Sequence, residues 1–178
     1  MPENSNDVIT RYLEDAIAAE KSFETQLQGF AKEGDNAAAK SAFQQHAVET
    51  KRQYERLTAR LEALGGSTST AKSLLAHVFN MTPKAAQIGH EKEERTTQNL
   101  MMAFAVENSE LAMYESLASV AEAAGDSQTA ALAREIQAEE KATADKVWKL
   151  LGPAALEAYT RLTGGASASG PARSAATI

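Results

Sequence analysis

Residues 100–121 read Leu-Met-Met-Ala-Phe-Ala-Val-Glu-Asn-Ser-Glu-Leu-Ala-Met-Tyr-Glu-Ser-Leu-Ala-Ser-Val-Ala. Leu100, Phe104, Leu111, Tyr114, Ala118 and Ala121 recur at the period of one helix face. The residue completing that stripe is Glu107, and Glu110 occupies the adjoining core position. A helix with carboxylates in its apolar stripe demands partners for them, and the rest of the chain supplies a pattern to match.

Three of the four prolines, Pro2, Pro153 and Pro171, lie near the ends, so only Pro83 interrupts the long middle. Gly34, Gly65-Gly66, Gly125 and Gly152 each follow an amphipathic run, as helix-terminating glycines do. The pattern predicts helices over 6–33, 36–64, from somewhere in 84–95 to 124, and over 127–151. No period-2 run with β-branched enrichment is present, so the class is all-α. Gly34-Asp35 and Gly125-Asp126 make turns so short that the helices they join must be antiparallel neighbours, with each aspartate able to cap the next helix. The stretch from Gly65 to about His90 is far longer and carries an amphipathic piece, Ala71 to Met81, expected as a short crossover helix. Two hairpins joined by one long crossover is the ferritin-like form of the four-helix bundle. A short fifth helix is expected over 154–162, which places the bundle in residues 1–163 and its core in 6–151. Residues 164–178, small and almost uncharged, are expected to be a disordered tail.

The exception on the third helix recurs on the others. In the first helix Ile9, Leu13, Ala16, Phe23, Leu27 and Phe30 leave a gap filled by Glu20. In the fourth, Glu140 fills the gap between Ile136 and Val147, with Thr143 next and Glu139 as an alternative. In the second, Glu49 lies beside the stripe of Phe43, Tyr54, Leu57 and Leu61, and His46 is one turn before it. These carboxylates fall near the helix midpoints, roughly residues 20, 50, 108 and 139, which share one layer in an antiparallel bundle. Glu49 lies 15 residues after Gly34 and Glu140 lies 15 after Gly125, so the two hairpins repeat each other. Buried carboxylates must be protonated, paired or bound to cations. No lysine or arginine holds a midpoint core position on the first, third or fourth helix, and Arg52 is the nearest partner on the second. A pair of divalent metals relieves the repulsion and suits hard oxygen ligands. Met101 and Met102 read as core, Trp148 as a cap or partner-facing residue, and His77 and His90 as surface.

Composition narrows the chemistry further. The 178 residues carry a formal net charge of −6, 43% hydrophobic residues and no cysteine. Thiolate metal sites, a thiol nucleophile and disulfides are therefore excluded. The acidic balance argues against a nucleic-acid partner. The longest apolar run, Leu100 to Val106, is far short of a membrane span, and Met1 to Asp7 lacks the features of a secretory leader. A cytoplasmic protein is expected, with a homodimer or higher homo-oligomer as its assembly.

The chain resembles the ferritin-like superfamily, in particular the YciF-type bacterial stress proteins and more distantly rubrerythrin. The resemblance rests on His46-Ala-Val-Glu-Thr-Lys-Arg-Gln-Tyr-Glu-Arg-Leu57, Val106-Glu-Asn-Ser-Glu-Leu-Ala-Met-Tyr-Glu-Ser-Leu117 and Glu139-Glu-Lys-Ala-Thr-Ala-Asp145, and covers roughly residues 7–151. It implies a carboxylate-bridged centre of two iron ions, or manganese, held by Glu20, Glu49, Glu107, Glu110 and Glu140, in a protein of stress defence. The superfamily pattern has a histidine three residues after the ligand glutamate on the second and fourth helices. Here those positions hold Arg52 and Thr143, and His46 supplies one nitrogen from the opposite side of Glu49. The departure leaves open a second expectation, a helical stress protein with a degenerate metal site.

Overall fold

The computed structural model describes residues 4–68 and 87–165. Four helices account for most of them: α1 (Ser5–Phe30), α2 (Ala37–Ala63), α3 (Arg95–Ala124) and α4 (Ser127–Thr163), with a short 3-10 turn, Lys92–Glu94, leading into α3. No strand occurs among the described residues. The expected crossover helix over 71–81, His77 and residues 166–178 of the expected tail lie outside the described residues.

The helices start and stop where side chains satisfy free backbone groups. Asn4 caps α1 by accepting from Asn6 N at 3.1 Å, and Asp126 caps α4 by accepting from Thr129 N at 3.0 Å. The cap of α2 is Asn36, accepting from Ala39 N at 2.9 Å, and not Asp35. Asp35 instead faces Arg161 at 3.7 Å. Gly125 ends α3 in the left-handed region, at φ 76°.

Gly34 does more than relieve strain. Its φ is 68°, and a Cβ there would lie 2.3 Å from Thr96 Oγ1, so the turn between α1 and α2 seats directly on the start of α3. Gly34→Ala is expected to cost about 1–2 kcal/mol and to lower the melting temperature by roughly 5 °C. Adding Thr96→Ala should recover the steric part but not the conformational part, a split that thermal melts of the two variants measure.

Gly152-Pro153 does not end the fourth helix. α4 runs through Pro153 to Thr163, so the separate fifth helix over 154–162 is corrected to the last turns of α4. Gly152 has no Cβ to meet the proline ring, which removes part of the usual objection to a helical residue before proline. Packing supplies the rest: Ala154 and Ala158 are buried, and Glu157 accepts from Asn36 Nδ2 at 2.7 Å.

Contacts between helix ends fix the topology. Asn99 near the start of α3 donates to Glu33, just past the end of α1, at 3.1 Å, so α1 and α3 are antiparallel. Arg60 near the end of α2 binds Asp126 at 2.7 and 2.8 Å and Thr129 at 2.7 Å, at the start of α4. The end of α2 and the start of α3 therefore lie at opposite ends of the bundle, about 40 Å apart for a helix of 27 residues. Burial opposes the charge on Asp126, but Arg60 and Thr129 outweigh it and hold the carboxyl below its ordinary range.

The apolar core gathers Ile9, Leu13, Phe23, Leu27 and Phe30 of α1 with Phe43, Leu57 and Leu61 of α2, Leu100 and Leu117 of α3, and Ile136 and Val147 of α4. Met101 is exposed rather than in the core, and Trp148 is exposed and tilted against Phe104, with ring centroids 5.1 Å apart. His90 is exposed beside Glu94. Among the described residues no helix is long and apolar enough to cross a membrane.

Candidate metal centre

Halfway along the bundle the core turns from hydrocarbon to carboxylate. Glu20, Glu107 and Glu110 are 0% exposed and Glu140 is 1% exposed. Each occupies a position that the helical period turns inward: 16, 20, 23 on α1; 103, 107, 110, 114 on α3; 136, 140, 143, 147 on α4. His46 of α2, 3% exposed, points Nε2 toward Glu107 Oε1 at 3.1 Å and Glu140 Oε2 at 3.8 Å. One ligand atom from each of His46, Glu107 and Glu140 lies within 4.8 Å of the others. The imidazole stands edge-on to Phe23, with centroids 5.2 Å apart, which fixes the ring plane.

Tyr114, one turn after Glu110, donates its hydroxyl to Glu20 Oε1. The other oxygen of Glu20 and both oxygens of Glu107, Glu110 and Glu140 are buried without a hydrogen-bond partner. Both nitrogens of His46 likewise lack an aligned hydrogen bond. No lysine or arginine is buried among the described residues.

Electrostatics follow from that arrangement. Burial, then the charge of Glu140, raises the Glu20 carboxyl well above its ordinary value, against the pull of the Tyr114 hydrogen bond. Burial and Glu140 do the same to Glu107, and burial with Glu20 and Glu140 to Glu110. The Tyr114 hydroxyl is pushed up by burial and by the neighbouring Glu20. These carboxyls resist ionisation until something positive joins them.

Glu49 stands apart. On α2 the inward positions are Phe43, His46, Thr50, Gln53 and Leu57, which leaves Glu49 at the edge with its side chain 42% exposed. Its Oε2 accepts from Thr143 Oγ1 at 3.4 Å and its Oε1 lies 3.8 Å from Lys146 Nζ. Arg52, the expected cationic partner, is exposed. Of the two adjacent glutamates on α4, Glu139 turns to Arg56, at 2.8 and 3.0 Å, and to Gln53 at 3.1 Å, while Glu140 turns inward. Thr50 and Gln53 complete the polar lining of α2, and sequence reasoning missed both. The signal was available, since they step by three and four from His46 to Leu57.

This is a donor set that suits a hard cation: carboxylate oxygens without an aligned hydrogen bond, one imidazole, and no competing buried cation among the described residues. A four-helix bundle carrying such a layer defines a class of carboxylate-centred helical proteins. The family described as a domain of unknown function, DUF892, matches residues 4–160, and the chain belongs to it. Among solved structures, the chain is similar to a protein of Xanthomonas campestris pv. campestris, with 26% identity and a TM-score of 0.76 over 90% of this chain and 99% of that one. It is similar also to the Escherichia coli stress protein YciF, with 28% identity and a TM-score of 0.71 over 91% and 99%. YcfI of Rhodopseudomonas palustris shares the fold at 23% identity and a TM-score of 0.72, over 82% and 93%. No curated protein matches the sequence.

Proposed function

We propose that this YciF-like protein is a carboxylate-bridged dimetal protein, with iron the first candidate and manganese the second, that serves stress defence by oxidising iron(II) or removing peroxide. One observation carries the reading: seven buried carboxylate oxygens of Glu20, Glu107, Glu110 and Glu140 accept no aligned hydrogen bond, although His46 Nε2 lies 3.1 Å from Glu107 Oε1. Leaving such groups unpaired costs several kcal/mol, a cost that bound divalent cations offset. Glu107, Glu140 and His46 would hold one ion, and Glu20 and Glu110 extend the oxygen layer for a second. Bound there, a redox-active metal supplies electron transfer toward oxygen or peroxide.

The chain's own residues set the conditions for that chemistry. The Tyr114 hydroxyl holds one oxygen of Glu20 and leaves the other available. Phe23 keeps the His46 ring from turning. The apolar turns above and below the layer exclude bulk water and strengthen each interaction within it.

Anaerobic titration with iron(II) is expected to saturate at about two ions per chain, the stoichiometry of the dimetal bundle template. Glu20→Ala with Glu107→Ala should abolish saturable binding. A wild-type chain that binds no metal would sink the proposal. A second reading, a non-enzymatic helical stress protein with a degenerate site, is favoured by Thr143 in place of a second histidine and by the outward Glu49. It expects no oxidant-driven turnover by the iron-loaded protein. The proposal includes a cytoplasmic homodimer, for which exposed Met101 and Trp148 with half-buried Phe104 offer an apolar face, and sedimentation checks that part.

A further inference from the structure

Resting on the reading of the carboxylate layer as a metal site, we propose that the seam between α2 and α4 is the way in for a hydrated divalent cation. Glu49 is its exposed receiving group, and Thr143 passes it to His46 and Glu140.

A divalent ion reaching a buried layer must shed water, and donors along its path have to replace the lost ligands. Among the described residues, three of the four seams lack such a path at this level. Between α1 and α2, the Phe23 ring sits against His46. Between α1 and α3, Tyr114 reaches Glu20 from the side. Between α3 and α4, Gln137 binds the Leu111 carbonyl at 3.1 Å and Arg134 clasps Glu115.

The α2–α4 seam is built differently. Its inward positions beside the layer are Thr50 and Gln53 on α2 and Thr143 on α4, with no large apolar side chain among them. Thr50 is 1% exposed and Gln53 2%, yet Thr50 Oγ1 and Gln53 Oε1 have no hydrogen-bond partner. They are buried oxygens free to accept from the water shell of a passing ion. Glu49 opens the row at the surface, one helical turn from His46, and Thr143 stands one turn from Glu140.

The mouth is held lightly. The Thr143 hydrogen bond to Glu49 is long, at 3.4 Å, and the Lys146 contact, at 3.8 Å, is a solvent-exposed pair. Such a pair contributes little to stability, so a divalent cation displaces it readily. This arrangement also accounts for a glutamate beside the carboxylate layer whose side chain is 42% exposed. It collects the ion rather than keeping it.

Stopped-flow uptake of cobalt(II), followed by its visible absorption in the full-length protein, tests the route. Glu49→Gln and Thr143→Val should each slow uptake about tenfold, the scale of local electrostatic focusing, and Lys146→Gln should speed it. Release slows by the same factor, so cobalt stoichiometry and affinity at equilibrium stay at wild-type values. Unchanged uptake rates in Glu49→Gln and Thr143→Val would overturn the route. A fall in stoichiometry with Glu49→Gln would also overturn it, by placing Glu49 among the permanent ligands. A wild-type chain that takes up no cobalt refutes the metal reading itself, and the route with it.

Discussion

Metal-free protein carrying Glu110→Gln should melt about 5 °C above the wild type at pH 7, and Glu107→Gln with Glu110→Gln roughly 10 °C above it. The cause is the carboxylate layer itself. Burial and the charges of Glu20 and Glu140 raise the Glu110 carboxyl, so at neutral pH the folded chain keeps a proton or a buried charge that the unfolded chain does not. Each pKa unit of that shift costs about 1.4 kcal/mol, and each kcal/mol moves the melting temperature of a chain this size by about 2–4 °C. Glutamine keeps the shape, and its amide has donors for the unpartnered oxygens of Glu107 and Glu140. Neutralising the first group weakens the repulsion felt by the second, so the double variant gains no more than about twice the single.

The sign of the pH dependence follows. Folded-state values raised above the ordinary carboxyl range mean that the native state binds more protons than the unfolded chain once pH passes about 4.3. Stability contributed by Glu20, Glu107 and Glu110 is therefore full below that point and is lost as pH rises through their folded values. Metal-free protein should melt progressively lower from pH 5 to pH 8. The Glu107→Gln/Glu110→Gln variant should show a flatter profile. A wild-type melting temperature that climbs over that range would show these carboxyls to be paired by something other than one another.

The sequence alone carries the helices, the turn glycines and the inward glutamates of α1, α3 and α4, because a fixed 3.6-residue period places them without knowledge of any partner. The exact face is harder to read. On α3 the buried set includes Asn99, Ala103, Met113 and Leu117, with Phe104 and Leu111 only half-buried, so Glu110 is as central as Glu107. Small residues carry little hydropathy signal, and the large Phe104 and Leu111 drew the stripe toward the helix edge. On α2 the same ambiguity hid Thr50 and Gln53, whose inward position is decided by α4 rather than by their own polarity. The end of α4 depended on Ala154, Ala158 and Asn36, contacts distant in sequence that outweigh a Gly-Pro pair. Which of Glu139 and Glu140 faces the core likewise waits on Arg56 and Gln53 across the α2–α4 seam.

Metal loading should reverse the behaviour of the metal-free chain. Saturating divalent iron or manganese, at about a thousandfold over its dissociation constant, is expected to add about 4 kcal/mol per site. That is a rise of roughly 10 °C in melting temperature for each site filled, abolished by a chelator. Binding expels the protons that Glu20, Glu107 and Glu110 hold, so the loaded protein should gain stability as pH rises from 5 to 8, opposite to the metal-free form. Crossing pH profiles would separate a true metal centre from adventitious ions on the acidic surface, which leave the buried carboxyls protonated. The Glu107→Gln/Glu110→Gln variant sharpens the test, since it is the more stable chain without metal and should gain nothing with it. A loaded wild type whose melting temperature follows the metal-free profile at every pH would instead favour the degenerate-site reading, with its carboxylate layer kept neutral by protons.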